Sequence, residues 1–364
     1  MIAAIEGGVV DRMPVAPMFW GSEYSWRLVS RPMWETTHGP AEVFLDRLAA
    51  LDARHQCDWL LVMFPGTGKL NGKHLVSEQP QQAVFIEDCS GDEWLFDKRT
   101  RCFEPTDKRN HSGPPSVPRN RAEAQRILES PNVHFSNPMI APTESVRALF
   151  PDRFLCGAVP GPFSHVSNYL GFHGRAQLVE DDPELCAWMA EAVLGDVEAL
   201  ASRYASDGLD AAWLVDWWAP ADLNFYQNWI APLHKRIATA LADVGLKSIF
   251  YLHRGDIRGS LSLTLNAIAD LGFDAFAFEE SEDGVDMNLA EARSALGAQG
   301  CIIGNLDPQL LLANGFDLVR RETLRQVHEA GMPLIVGTGS AVLDNTDPSV
   351  LDCWISLARN CPAC

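Results

Sequence analysis

The chain has 364 residues, with 48 acidic against 29 basic side chains and a formal net charge of −19. That balance argues against nucleic acid, anionic membrane surfaces and polyanionic substrates, and favours small neutral substrates or protein partners. The nine cysteines are odd in number, irregularly spaced and mostly set in apolar runs (Cys57, Cys156, Cys301), which reads as reduced thiols of a cytoplasmic protein.

No basic-then-apolar leader opens the chain and no apolar run nears about 18 residues, so neither secretion nor a membrane span is expected. Short apolar runs alternate with longer amphipathic stretches, the pattern of βα units on a parallel sheet. Strands are predicted at Val15–Trp20, Trp59–Phe64, Phe154–Val159, Ala211–Asp216, Ser248–His253, Ala275–Phe278, Cys301–Asn305 and Leu334–Gly337. Apolar residues recur at three- and four-residue spacing over Ala41–His55, Pro183–Ala205, Ala221–Val244, Leu261–Leu271 and Phe316–Ala330, which predicts helices there. Ala83–Phe103 breaks the alternation: it switches between apolar and polar residues around Ser90-Gly91-Asp92 and predicts a β-hairpin inserted after the second strand. The following Glu104–Asn120, rich in Pro, Ser and Asn, predicts a long loop over the barrel mouth. With no linker or internal repeat, residues 1–364 read as one α/β domain, a (β/α)8 TIM barrel with an insertion at about 83–120.

In such a barrel chemistry gathers at the carboxyl ends of the strands. Asp216, His253, Glu279, Glu280, Asn305, Asp307 and Ser340 fall there, and His165 is expected at the same level on its own strand. Asp216, His253 and Glu280 are the candidate proton donors and acceptors. Asn305 and Asp307 are candidate substrate contacts, though a strand-end polar residue also serves as an ordinary helix cap. Trp20, Phe64, Trp217, Trp218 and Tyr251 cluster near the predicted strand ends, where they could line a slot for a flat ring or simply pack the barrel top. Gly66-Thr-Gly-Lys69 lacks the spacing and the hydroxyl residue of a phosphate loop. Cys361-Pro-Ala-Cys364 is a single CxxC near the end of the chain, where order is usually poor.

Glu129, Glu144 and His165 form a Glu-x14-Glu-x20-His series. Glu129 closes a helical run and Glu144 opens a short one before the third strand. Two carboxylates and an imidazole suit zinc with a fourth position open to water or substrate, and they also suit solvated helix ends.

Four patterns resemble the uroporphyrinogen decarboxylase superfamily: Val10-Asp-Arg-Met-Pro-Val15, Gly157-Ala-Val-Pro-Gly-Pro162, Glu180-Asp-Asp-Pro-Glu184 and Gly304-Asn-Leu-Asp-Pro308. They span nearly the whole chain, and the resemblance implies a (β/α)8 barrel. Decarboxylases of that superfamily carry Arg-Gln-Ala-Gly-Arg after the first strand and an aspartate at the end of the second. Here those places read Phe19-Trp-Gly-Ser-Glu23 and Phe64-Pro-Gly66, which removes the groups expected to hold a polycarboxylate tetrapyrrole. The coenzyme M methyltransferases use His-x-Cys and a later Cys for zinc; His253 survives, but the partner positions read Gly255 and Gly337-Thr-Gly-Ser340.

The corrinoid-dependent O-demethylase branch binds zinc through a Glu-x14-Glu-x20-His series, which Glu129, Glu144 and His165 reproduce. The resemblance therefore implies a cytoplasmic methyltransferase with zinc on those three residues. It would move a methyl group from a small methoxylated, aromatic donor to the Co(I) corrinoid of a partner protein, and a homodimer is compatible with it. In a metal-free version Asp216, His253 or Glu280 protonates the ether oxygen. A lyase or decarboxylase acting on another small molecule, and a non-catalytic scaffold barrel, are the alternatives.

Overall fold

The computed structural model describes residues 1–20, 24–63, 70–99, 103–106, 117–129, 143–219, 221–257, 259–282, 284–298, 300–312 and 315–362. Its strands are β1 (Val15–Ala16), β2 (Trp59–Val62), β3 (Lys73–Glu78), β4 (Gln82–Glu87), β5 (Glu93–Asp97), β6 (Phe103–Pro105), β7 (Phe154–Pro160), β8 (Ala211–Val215), β9 (Lys247–Leu252), β10 (Ala275–Phe278), β11 (Cys301–Ile303) and β12 (Leu334–Gly337). The helices are α1 (Ile2–Ile5), α2 (Met33–His38), α3 (Ala41–His55), α4 (Arg121–Leu128), α5 (Thr143–Leu149), α6 (Pro162–Asp181), α7 (Pro183–Ala192), α8 (Leu194–Ser206), α9 (Leu223–Phe225), α10 (Ala231–Asp243), α11 (Leu261–Ile268), α12 (Leu289–Leu296), α13 (Phe316–Ala330) and α14 (Pro348–Arg359).

Eight parallel strands run in the order β1-β12-β11-β10-β9-β8-β7-β2 and form a nearly closed α/β barrel. Alternation sorts each strand between two cores. On β9, Ile249 and Tyr251 face the barrel interior, while Phe250 and Leu252 face the helical layer. Both faces are apolar, so the strands read as continuous hydrophobic runs. No backbone ladder between β1 and β2 closes the ring among the described residues. Side chains stitch that seam instead: Asp58 accepts from Val15 N at 2.9 Å, and the Trp59 indole donates to Pro17 O at 2.9 Å.

Several expected elements are corrected. The first strand spans two residues rather than Val15–Trp20, because Pro14 and Pro17 flank it and lack the N–H that a longer ladder needs. The insertion is a four-stranded antiparallel sheet, β3-β4-β5-β6, and the expected hairpin forms its centre. Sequence reading missed β3, whose side chains are almost all exposed, so it carries no alternating pattern. The sheet has its own small core of Trp34, Ala83, Phe85, Phe96 and Phe103.

The predicted helix Pro183–Ala205 is two helices that break at Val193. Ala221–Val244 is α9, a π-helical turn at Tyr226–Ile230, and α10. Pro232 sits at the start of α10, where it cannot donate back to the preceding turn, and the chain widens there. Of the expected loop Glu104–Asn120, residues 107–116 lie outside the described residues, as does Cys364 of the terminal CxxC. The described cysteines are all free thiols. No helix among the described residues is long and apolar enough to cross a membrane.

Candidate active site

The carboxyl ends of β8 to β12 assemble a compact polar and aromatic mouth. Tyr251, the last inward residue of β9, reaches over β10 and β11 to donate its hydroxyl to Gly339 O at 2.9 Å. Its ring lies 5.3 Å from Trp213 and meets Trp20 edge-on at 6.0 Å, which forms an aromatic floor. Trp217 stands on the rim, 42% exposed, with its ring 5.4 Å from that of His253.

Above this floor one guanidinium meets three carboxylates. Arg254 Nη1 lies 3.2 Å from Glu279 Oε1 and 3.3 Å from Glu280 Oε1, and Nη2 lies 2.6 Å from Glu282 Oε2. The Arg254 backbone N–H also donates to Glu279 Oε2 at 2.7 Å. His253 Nδ1 accepts from Gly255 N at 3.0 Å, which assigns the ring proton to Nε2, 3.2 Å from Glu279 Oε1. A Cβ at position 255 would sit 2.8 Å from that Nδ1, so the glycine found in place of the thiol ligand is what lets the backbone approach the imidazole.

Glu280 is 6% exposed. Its Oε1 accepts from the Ser340 hydroxyl at 3.0 Å, while Oε2 is buried and meets no donor from another residue. Burial pushes its carboxyl above the ordinary range, and the neighbouring Glu279 pushes the same way, against its own backbone N–H, the Ser340 hydrogen bond and Arg254. Gly339 makes room for it: a Cβ there would lie 2.2 Å from Glu280 N and 2.6 Å from Oε2.

Asp216 has a different environment. It is buried behind the mouth and accepts from Phe163 N at 3.2 Å and Ser164 N at 2.5 Å, which caps α6, and from His234 Nε2 at 2.8 Å. His234 Nδ1 lies 3.1 Å from the Tyr226 hydroxyl. A Cβ at Gly161 would come within 2.0 Å of Asp216, so the glycine of the Gly-Pro turn is what allows this cap. Burial opposes charge on Asp216, but the His234 hydrogen bond and the Ser164 donors outweigh it and hold the carboxyl below the ordinary aspartate range. A carboxylate so engaged anchors the helix, with both of its oxygens taken by donors.

Asn305 and Asp307 likewise hold the fold together. The Asn305 amide donates to Met287 O at 2.9 Å and to Glu279 O at 3.3 Å, which fixes the loop that carries the glutamates. Asp307 accepts from Gln309 N at 2.8 Å and caps a 3-10 turn. Trp218 is fully buried against Tyr226 in the outer core and does not line the mouth. Phe64 and the Gly66–Lys69 stretch lie outside the described residues.

His165 lies in the first turn of α6 rather than on its strand, because Pro162 starts the helix immediately after β7; its N–H donates to Gly161 O at 2.8 Å. Its imidazole is buried and stacks on Tyr169 at 5.8 Å, and burial holds its pKa down to about 4. Glu129 is exposed at the end of α4 and accepts from Gln125 Nε2 at 2.6 Å. The Glu144 side chain lies outside the described residues, so the geometry of the three together does too. Among the described residues no three His, Cys, Asp or Glu side chains gather as a metal-ligand set.

Arg254 and Gly339 are the mouth residues that sequence reasoning missed. Arg254 breaks the two-residue alternation, and an arginine directly after a strand-end histidine was the available signal. A cleft of about 460 Å³ lined by Arg12, Arg54, His55 and Arg359 lies at the strand starts, the end of such a barrel that serves stability rather than chemistry.

A family model described as Uroporphyrinogen decarboxylase (URO-D) matches residues 111–361. The chain is 31% identical over 237 residues to a uroporphyrinogen decarboxylase of Acidiphilium cryptum, a stretch covering 62% of this chain and 63% of that relative. It is 27% identical over 199 residues to the uroporphyrinogen decarboxylase of Syntrophotalea carbinolica, covering 52% and 54%. The chain thus spans less than two thirds of the length of these curated relatives. Among solved structures, a methyltransferase from Methanosarcina mazei superposes with a TM-score of 0.65 over 98% of this chain and 96% of that one, at 16% identity. That likeness establishes the shared barrel fold.

Proposed function

We propose, from the premise that this chain belongs to the uroporphyrinogen decarboxylase family, that it is a methyltransferase. Its mouth would receive a small methylated compound, and the methyl acceptor would be the Co(I) corrinoid of a partner protein. The observation that carries this reading is the state of Arg254: three glutamates hold its guanidinium. A mouth whose carboxylates outnumber and occupy its guanidinium repels a polycarboxylate tetrapyrrole. An aromatic floor of Tyr251 and Trp20 with Trp217 on the rim suits a small, largely apolar donor. A methoxylated aromatic is the donor class that the resemblance implies.

In the transfer the bond from methyl carbon to heteroatom breaks, the electron pair stays on the leaving group, and the methyl passes to the acceptor. The residues of this chain bind and orient. Trp20 and Tyr251 support the donor from below, Trp217 closes one side, and the Arg254 network fixes Glu279 and Glu280 beside it. With an ether donor, a protonated Glu280 would give its proton to the leaving oxygen. Zinc on Glu129, Glu144 and His165 belongs to the proposal as a separate element, supported by their spacing and by the neutral imidazole of His165, the form a metal takes. Bound there, it would supply Lewis-acid polarisation of the leaving group.

A second reading draws on the same Glu280. A buried carboxyl with a raised pKa could protonate the carbanion left by loss of carbon dioxide from a small acid, without a metal. Mixing the protein with a reduced corrinoid protein and a panel of methylated donors, while the cobalt spectrum is followed, separates the two. Conversion of Co(I) to methyl-Co(III) with at least one donor supports methyl transfer, and its absence with every donor leaves the lyase reading ahead.

A further inference from the structure

The charge of the mouth bears on the class of its ligand. Three carboxylates, Glu279, Glu280 and Glu282, face the single guanidinium of Arg254, and His253 holds one ring nitrogen as an acceptor. The hydroxyls of Tyr251 and Ser340 are already donating, to Gly339 O and to Glu280 Oε1. The Glu280 oxygen that meets no donor from another residue is Oε2, on a residue that is 6% exposed. It lies against Gly339, whose carbonyl takes the Tyr251 hydroxyl, and so borders the aromatic floor. Aromatic faces together with a desolvated carboxylate are the recognition chemistry of an organic cation, which carries no hydrogen-bond acceptor of its own.

We infer that the mouth binds a small methyl-onium cation, a quaternary ammonium or a sulfonium group, between the rings of Trp20, Tyr251 and Trp217 and the carboxyl of Glu280. We further infer that such a cation, rather than a neutral aryl ether, is the methyl donor. The second half rests on the methyl-transfer reading; the first half does not. The chemistry is consistent with the site. An onium leaving group departs as a neutral amine or sulfide and keeps the electron pair of the broken C–N or C–S bond. The Co(I) of the partner corrinoid supplies the pair for the new bond to carbon and becomes Co(III). No proton has to be delivered to the leaving group.

Charge on Glu280 then tunes affinity. The titratable and charged groups around it are Glu279 and Glu282 from the segment after its own strand, Tyr251 from β9, and His253 and Arg254 from the turn after β9; the segment after β12 contributes the Ser340 hydroxyl. Burial raises the pKa of its carboxyl above the ordinary range, so cation binding favours loss of its proton and tightens as pH rises.

Calorimetric titration of the whole protein with choline and with its neutral isostere 3,3-dimethyl-1-butanol tests this. Choline is expected to bind at least about tenfold more tightly than the alcohol at pH 8, with the difference shrinking toward pH 5. Glu280→Gln and, independently, Trp217→Leu should each weaken choline binding by about tenfold or more while thermal melting stays cooperative. Equal affinity for the two compounds, or no binding of either, or wild-type choline affinity in Glu280→Gln, overturns the inference. Choline binding without methyl transfer to a reduced corrinoid protein from any onium or ether donor supports the cation site but overturns its role as a donor site, and the methyl-transfer reading with it. Methyl transfer from a methoxyaromatic with no choline binding overturns the cation site and leaves that reading standing.

Discussion

His234 Nε2 and Asp216 Oδ2 stand 2.8 Å apart with both side chains fully enclosed, and this contact ties the end of the fourth barrel strand to α10, while Ser164 N donates to the same carboxylate from the first turn of the helix carrying His165. The same helix turn holds the rim, since the Ser164 hydroxyl accepts from Trp217 N at 2.7 Å. Asp216→Asn puts an amide where a buried carboxylate accepts from three donors. Urea unfolding at pH 7 should show a loss of about 3 kcal/mol; a loss under about 1 kcal/mol would remove the anchoring role. The pH sign follows from the depressed folded pKa. The contribution is complete above the unfolded value of about 3.9 and is lost as pH falls through the lower folded value, so this part of the acid destabilisation should be absent from the variant.

Glu280 has the opposite sign. Its folded pKa is raised, so its contribution to stability is fully present below the unfolded value of about 4.3 and is lost as pH rises through the folded one. Glu280→Gln should therefore gain stability relative to wild type as pH rises from about 4.3 through the folded pKa. Melting temperatures of the two proteins that run parallel across that interval would show that this carboxyl is not strained by burial.

Arg254→Met leaves Glu279, Glu280 and Glu282 without their shared cation. Because the Arg254 side chain is 21% exposed, water softens the penalty, and a loss of about 2 kcal/mol is expected rather than the full cost of breaking a buried pair. Arg254→Lys should recover only part of it, since an ammonium cannot present the planar fork that spans three carboxylates. Full recovery of stability by lysine in chemical denaturation would contradict the network as described.

Tyr251→Phe removes one buried hydrogen bond, the one to Gly339 O, and should cost about 1 kcal/mol. Trp217→Ala, on the exposed rim, should change stability by no more than about 0.5 kcal/mol yet raise the KM for donor severalfold. A Trp217 variant with unchanged KM would take the ring out of the binding surface.

For the metal, elemental analysis should find about one zinc per chain, the stoichiometry of a single catalytic site. Glu129→Ala, Glu144→Ala and His165→Ala should each lower it, with the helical circular dichroism signal retained for Glu129→Ala at the exposed end of its helix. Fully active protein free of zinc would sink the assignment.

Much of the barrel is legible in residue order. The apolar runs at 154–160, 211–215, 247–252, 275–278 and 334–337 announce strands because both of their faces are buried, and Phe316–Ala330 announces its helix by period. β3 escaped because an exposed edge strand needs no alternation, and the extent of β1 was overstated because the prolines around it were weighed too little. Within the mouth, Tyr251, His253, Glu279, Glu280 and Ser340 were all readable as strand-end residues. Their sorting into roles was not. Asp216, Glu280 and Asp307 are acidic side chains at similar places in their βα units, yet one caps a long helix beside a buried histidine, one is buried between Ser340 and the Arg254 guanidinium, and one caps a short turn.

The sequence alone determined which residues lie inside, because burial of apolar side chains depends on their order along the chain and on the local period. Only the tertiary structure decided which strand-end carboxylates are taken up by donors and which are buried beside other carboxylates. A carboxylate's charge state and free valence depend on donors brought from elsewhere in the chain: His234 and the α6 amides for Asp216, Arg254 and Ser340 for Glu280. Those partners lie from 18 to 60 residues away, beyond the reach of any local pattern.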